Sequence, residues 1–156
     1  MPSPFIKYIQ NEQHYAEVIS RVSTVKESLW IGTADIKDLY VMKCKDAAPF
    51  LSVLADLLKK GVDVRLIHAK EPGPMFREDF DRFPILAADL ERVCCPRVHF
   101  KLMILDMETA YIGSANLTGA GMNNPGRFVV RPFCGVGWLQ YRRLYQHHQH
   151  FRFAMV

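Results

Sequence analysis

Between positions 99 and 116 the chain reads H-x-K-x₄-D-x₆-G-S-x-N, and this spacing leaves few ways to fold it. The run Lys101-Leu-Met-Ile-Leu-Asp106 is apolar and strand-like, and Tyr111-Ile112 leads into Gly113. A short turn around Met107–Thr109 therefore joins two antiparallel strands and carries Ser114 and Asn116 back toward His99. Strand alternation predicts that His99 and Lys101, two positions apart, project from one face. With six fixed residue types at ~5% usage each, a chance match in such a chain has odds on the order of 10⁻⁶.

Taken singly, these residues are ordinary. A lone strand histidine is usually a satisfied structural group, a lone lysine a solvated charge, an aspartate at a strand end a turn former. Together they make a phosphate-handling set. An imidazole, with an unperturbed pKa of ~6.5, keeps a nucleophilic neutral fraction at neutral pH without a metal. Lys101 can bind a non-bridging oxygen as a point charge, while Ser114 and Asn116 can donate hydrogen bonds to the other oxygens. Gly113 permits the sharp turn or close backbone approach that such a site needs.

The pattern resembles the HKD signature of the phospholipase D superfamily, phosphodiesterases that include phospholipases, nucleases and phosphatidyl transferases. The likeness is close over Glu91–Gly121, its α/β ordering extends upstream to about Tyr15, and it fades beyond Met122. The resemblance implies that His99 attacks the diester and becomes a phosphohistidine, that Lys101, Gly113, Ser114 and Asn116 hold the phosphate, and that Asp106 completes the catalytic set by supporting the local geometry. It implies no metal and no other cofactor. It also implies two histidines per site, the second protonating the leaving oxygen. The only other H-x-K is His68-Ala-Lys70, but position 75 is Met and no G-S-x-N follows, so it reads as a strand-end pair. One motif per chain leads to a two-fold homodimer with a shared active site, in which His99 of each subunit faces its mate. The two imidazoles then titrate as a coupled pair, one neutral and nucleophilic, the other protonated. Superfamily members usually carry a glutamate just after G-S-x-N that orients the histidine; Arg127-Phe-Val-Val-Arg131 supplies no carboxylate.

At 156 residues the chain fits a single domain over 1–156 with room for a core. No stretch approaches the ~20 apolar residues of a membrane helix. Met-Pro-Ser-Pro-Phe-Ile-Lys7 lacks the basic-then-apolar layout of a secretion signal, so the expectation is a cytoplasmic protein with no membrane span. Cys44, Cys94, Cys95 and Cys134 show no C-x₂-C spacing and read as reduced thiols. His147, His148 and His150 lack a partner acid or cysteine, so no metal site is expected. Up to Glu108, 15 basic side chains meet 16 acidic ones for a net of −1, whereas five arginines alone give the remainder +5. That loss of acids and lysines marks 122–156 as an atypical C-terminal segment, for which a reading frame displaced near Met122–Gly126 is one hypothesis and a real divergence of the tail the other.

Upstream, Asn11 is placed to cap a helix carrying Tyr15, Val18, Ile19, Val22 and Val25 at helical spacing. Ser28–Thr33 reads as a buried strand. A helix is expected from Asp46 as cap through Phe50, Val53, Leu54, Leu57 and Leu58 to Gly61 as its stop. Val62–His68 follows as a strand, Glu71-Pro-Gly-Pro74 as a loop, Arg77–Asp81 as a helix restarted at Pro84, and Glu91–Val98 and Lys101–Met107 as strands. Helices alternating with strands around a tight hairpin give an α/β fold: a mixed β-sheet flanked by helices, the phospholipase D/nuclease-like sandwich. The expected function is a metal-independent phosphodiesterase, foremost a nuclease on DNA or RNA. A phospholipase D or phosphatidyl transferase acting on phospholipid headgroups is the second expectation, and a catalytically silent binding protein of the same fold the third.

Overall fold

The computed structural model describes residues 6–9, 13–37, 39–43, 46–118 and 128–132. In chain order these form β1 (Lys7–Ile9), a π-helical turn (Tyr15–Ile19) running into α1 (Ser20–Val22), β2 (Ser28–Thr33), β3 (Ile36–Lys37), β4 (Tyr40–Lys43) and β5 (Asp46–Pro49). There follow α2 (Phe50–Lys59), β6 (Asp63–His68), α3 (Pro74–Asp81), α4 (Pro84–Asp89), β7 (Glu91–Cys94), β8 (Lys101–Leu105), β9 (Thr109–Gly113), β10 (Leu117–Thr118) and β11 (Phe128–Pro132). Seven strands make one sheet in the order β1-β11-β9-β8-β2-β6-β7. The β2–β6–β7 side is parallel and the β2–β8–β9–β11–β1 side antiparallel, so the sheet is mixed as expected.

Parallel strands need crossovers, and α2 and the α3–α4 pair supply them. Both step across the sheet in one direction, which places these helices on one face. There Phe50, Leu54 and Leu57 of α2, with Phe76 and Leu86, close over Leu29, Ile31, Leu66, Met103 and Tyr111. Val18, Ile19, Val22 and Val25 join the same core, as their spacing predicts. Asn11 lies outside the described residues, as do Cys44, Cys134 and the three C-terminal histidines.

Several boundaries differ from expectation, among them the helix expected from Arg77, which begins at Pro74, and the strand expected to reach Met107, which ends at Leu105. The helix assigned to begin at Asp46 begins at Phe50, because Asp46–Pro49 pairs as a strand with Tyr40–Lys43. Pro49 holds an extended ψ of 139°, and proline also steers the residue before it away from helix. Gly61 does end the region, with the positive φ of 82° that glycine tolerates. The strand expected over Glu91–Val98 stops at Cys94, since Pro96 has no N–H and Val98 turns back onto the Cys95 carbonyl at 3.0 Å.

The β8–β9 hairpin closes on Asp106 and Met107, both at positive φ (50° and 55°), with Glu108 N–H donating to the Leu105 carbonyl at 3.0 Å. Backbone twist of this hand suits a tight hairpin. The Asp106 carboxylate then accepts the backbone N–H groups of Lys26 (3.1 Å), Glu27 (2.7 Å) and Ser28 (3.1 Å), pinning the entry to β2 against the hairpin tip. Burial pushes this carboxyl up, but the bonds from Glu27, Ser28 and Lys26 outweigh it and hold it below the usual aspartate range. A depressed carboxyl pKa gives stability that is present above the unfolded value of ~3.9 and lost as pH falls through the folded value. Asp106→Asn is therefore expected to lower stability at pH 7 by about 1–2 kcal/mol in urea denaturation, and the gap to wild type is expected to shrink below pH ~4. Equal midpoints at pH 7 would remove the clamp from the account.

Candidate active site

Three strands bring the motif to one end of the sheet. In the hairpin, Lys101 stands opposite Gly113 and Leu102 opposite Ile112. Across the other edge of β8, Leu102 stands opposite Gly32, so Lys101 lies next to Thr33 at the carboxyl end of β2. Thr33 in turn pairs with His68, the last residue of β6. The carboxyl ends of parallel strands are where open α/β sheets bind ligands.

His99 is exposed and lies before β8, not within it. This corrects the expectation of a shared strand face. The β2–β8 ladder ends at Gly32 opposite Leu102, and β8 itself begins only at Lys101. Lys101 instead folds its side chain inward, only 6% exposed, and donates from Nζ to the His99 carbonyl oxygen at 2.6 Å. The two residues are thus linked through the histidine backbone, with the imidazole left facing solvent. Lys101 makes no ion pair among the described residues, and two of its three N–H donors have no acceptor there. A buried ammonium without a carboxylate is costly, and an incoming anionic oxygen would compensate it.

The other half of the motif arrives on the β9–β10 connection. Ser114 leaves the hairpin at the end where His99 enters it and is exposed. Asn116 is partly buried, and its side-chain oxygen is enclosed without a partner among the described residues. Since the amide presents O and N with the same shape, either end can meet an incoming group. Immediately after it, the Leu117 N–H donates to the Thr33 hydroxyl at 3.2 Å, and β10 pairs in parallel with Ile36–Lys37.

Asp106 is not part of this cluster. Five residue steps of chain separate it from Lys101, about 17 Å along the strand, and its carboxylate is committed to the backbone at the opposite end of the sheet. His68, from the second H-x-K, is 0% exposed. Its Nδ1 donates to the Lys70 carbonyl at 2.7 Å and its Nε2 accepts from Arg92 Nε at 2.8 Å, while Arg92 also reaches Glu71 at 3.2 Å. Burial, with the Arg92 charge, holds the His68 pKa below its ordinary value despite the opposing Lys70 bond. It staples β6 to β7, as a strand-end reading requires. Thr33 was not foreseen; a threonine closing a buried strand carries no signal of its own in sequence.

No curated protein sequence matches the chain. Among solved structures the fold is similar to a phospholipase D family member, Nuc from Salmonella typhimurium, with a TM-score of 0.64 and 18% identity over 92% of this chain and 93% of that one. It is equally similar to NucT from Helicobacter pylori, with a TM-score of 0.64 and 15% identity over 92% and 94% of the two chains. TrmBL2, an archaeal chromatin protein described with a novel mode of DNA binding, matches with a TM-score of 0.57 and 10% identity, over 90% of this chain and 50% of that one. The family described as "Cardiolipin synthase, PLD-like domain" matches residues 18–126, a stretch that runs from the first helix through the whole motif. With that match spanning most of its length, and with a mixed sheet shared with these structures, the chain belongs to the phospholipase D superfamily.

Proposed function

We propose that the protein is a metal-independent phosphodiesterase that cleaves DNA or RNA through a phosphohistidine on His99, within a two-fold homodimer. The observation that carries this reading is the pairing of an exposed imidazole with a buried, carboxylate-free ammonium at the carboxyl end of β2. Neutral His99 attacks phosphorus in line; a P–N bond forms, the P–O bond to the leaving group breaks, and the partner subunit's His99 gives its proton to the departing oxygen. That neutralised imidazole then takes a proton from water, whose oxygen attacks phosphorus and breaks the P–N bond. Lys101 and the amide of Asn116 stabilise the charge on the non-bridging oxygens in both steps. Asp106 contributes by holding the hairpin in register, not by contact with substrate.

Nucleic acid is preferred as substrate for two reasons. The family includes solved neighbours named Nuc and NucT, and among the described residues no helix is long and apolar enough to cross a membrane. The unpaired thiols of Cys94 and Cys95 suit a cytoplasmic setting, which is part of the same proposal. One observation favours the phospholipid reading instead: Phe100, Val93 and Ile112 are exposed apolar side chains on the sheet.

The test is turnover in EDTA against single-stranded DNA, duplex DNA, RNA, phosphatidylcholine vesicles and a chromogenic diester. Cleavage of a nucleic acid is expected, with His99→Ala lowering kcat about 10³-fold or more. Full activity of the variant, or loss of activity in EDTA, contradicts the mechanism; turnover of phosphatidylcholine alone selects the lipid reading. Sedimentation is expected to show a dimer, and an active monomer would sink the shared site. Lys101→Met is expected to lower kcat/KM by about 10²–10³-fold without lowering the urea midpoint, because it replaces a buried charge with an apolar side chain of similar length. A midpoint that falls with activity would make Lys101 a structural residue.

A further inference from the structure

We propose that the Gly32–Thr33 step ending β2 is the positioning element that holds the two halves of the phosphate site together. This rests on the phosphodiesterase reading and extends it to residues outside the motif. Each residue serves a different half, on a different face of the sheet.

Gly32 pairs with Leu102, and the Phe100 ring, two residues before Leu102, lies close against it. A Cβ at position 32 would clash with the edge of the ring, with Phe100 Cε2, Cδ2 and Cζ its nearest atoms. The need here is for close approach. Phe100 separates His99 from Lys101, so the seat under its ring fixes the backbone that presents the imidazole. The ring is 46% exposed, so a side chain at Gly32 displaces the ring into solvent and leaves the sheet in place.

Thr33 is 0% exposed and turns to the helix-covered face. Its hydroxyl donates to the Asp35 carbonyl at 2.7 Å and accepts the Leu117 N–H at 3.2 Å. One oxygen thus ties the loop leaving β2 to the residue after Asn116. The β3–β10 pairing beside it is only two residues long, and Leu117 and Ala115 pack against the core, so the Thr33 hydroxyl is the polar tie that sets the direction of the loop at Asn116.

Thr33→Val keeps the shape and removes both bonds; Thr33→Ser keeps both bonds and removes a methyl group. If the hydroxyl positions Asn116, kcat/KM on the chromogenic diester is expected to fall about 10- to 100-fold in Thr33→Val and to stay within about threefold of wild type in Thr33→Ser. The urea midpoint of the valine variant should nevertheless match or exceed that of the serine variant. Equal activity in the two, or activity that tracks the midpoint, overturns the proposal for Thr33. For Gly32, the expectation is non-additivity: Gly32→Ala and Phe100→Ala each lower kcat, and the double variant is no worse than Phe100→Ala alone. Additive losses overturn the seat. Should wild type turn over no diester, the phosphodiesterase reading fails separately, and hydrogen exchange then decides the tether. The Leu117 amide is expected to exchange about tenfold faster or more in Thr33→Val, with Ile31 and Leu66 unchanged; an unchanged Leu117 rate overturns it.

Discussion

The antiparallel β8–β9 ladder, with Lys101 opposite Gly113, is the constraint on which the rest of the site depends. Side chains alternate along a strand, so a slip of one residue would turn Lys101 off the core face and put Leu102 in its place. The register is set at the far end of the hairpin. Two consecutive positive-φ residues make the turn, and one carboxylate binds it to three backbone N–H groups at the start of β2. Because β2 runs back beside β8, fixing its start relative to Asp106 also fixes where Gly32 and Thr33 fall beside Lys101. A motif residue about 17 Å along the chain from Lys101 thereby sets the register of the candidate site.

This explains the motif's spacing in mechanical terms. The four residues between Lys101 and Asp106 are the length of β8 to the turn, and the six between Asp106 and Gly113 are the turn plus the return along β9. The hairpin was legible because apolar alternation and its spacing agree. So were β2, β6, the proline-restarted helix pair and the Gly61 stop, each written in local propensity. The role of Asp106 was less legible, since sequence gives its neighbours in the chain but not the Lys26–Ser28 amides it meets through tertiary structure. Its place among the catalytic residues came with the resemblance, and the hairpin's length is what removes it from contact.

The departures have a common cause. Asp46–Pro49 pairs with Tyr40–Lys43, β1 pairs with β11, and Thr33 bonds to Leu117; each depends on a partner that local pattern cannot name. The same holds for His99 and Lys101. Alternation predicted a shared strand face, whereas the chain places the imidazole outside the ladder and ties the ammonium to the histidine's own carbonyl. A backbone link of this kind keeps the cation near the proposed nucleophile while leaving the imidazole facing solvent. Residues 122–156 fall outside the described structure except for Phe128–Pro132, which forms a strand, as its apolar centre suggests.

The central claim is that this register delivers His99 as a nucleophile. It is tested most directly by rapid acid-free quench of the enzyme with a diester substrate, followed by intact mass measurement and peptide mapping. The account predicts a transient covalent phosphoryl adduct on His99, absent from His99→Ala. An adduct on any other residue, or turnover without one while the variant remains active, would contradict it.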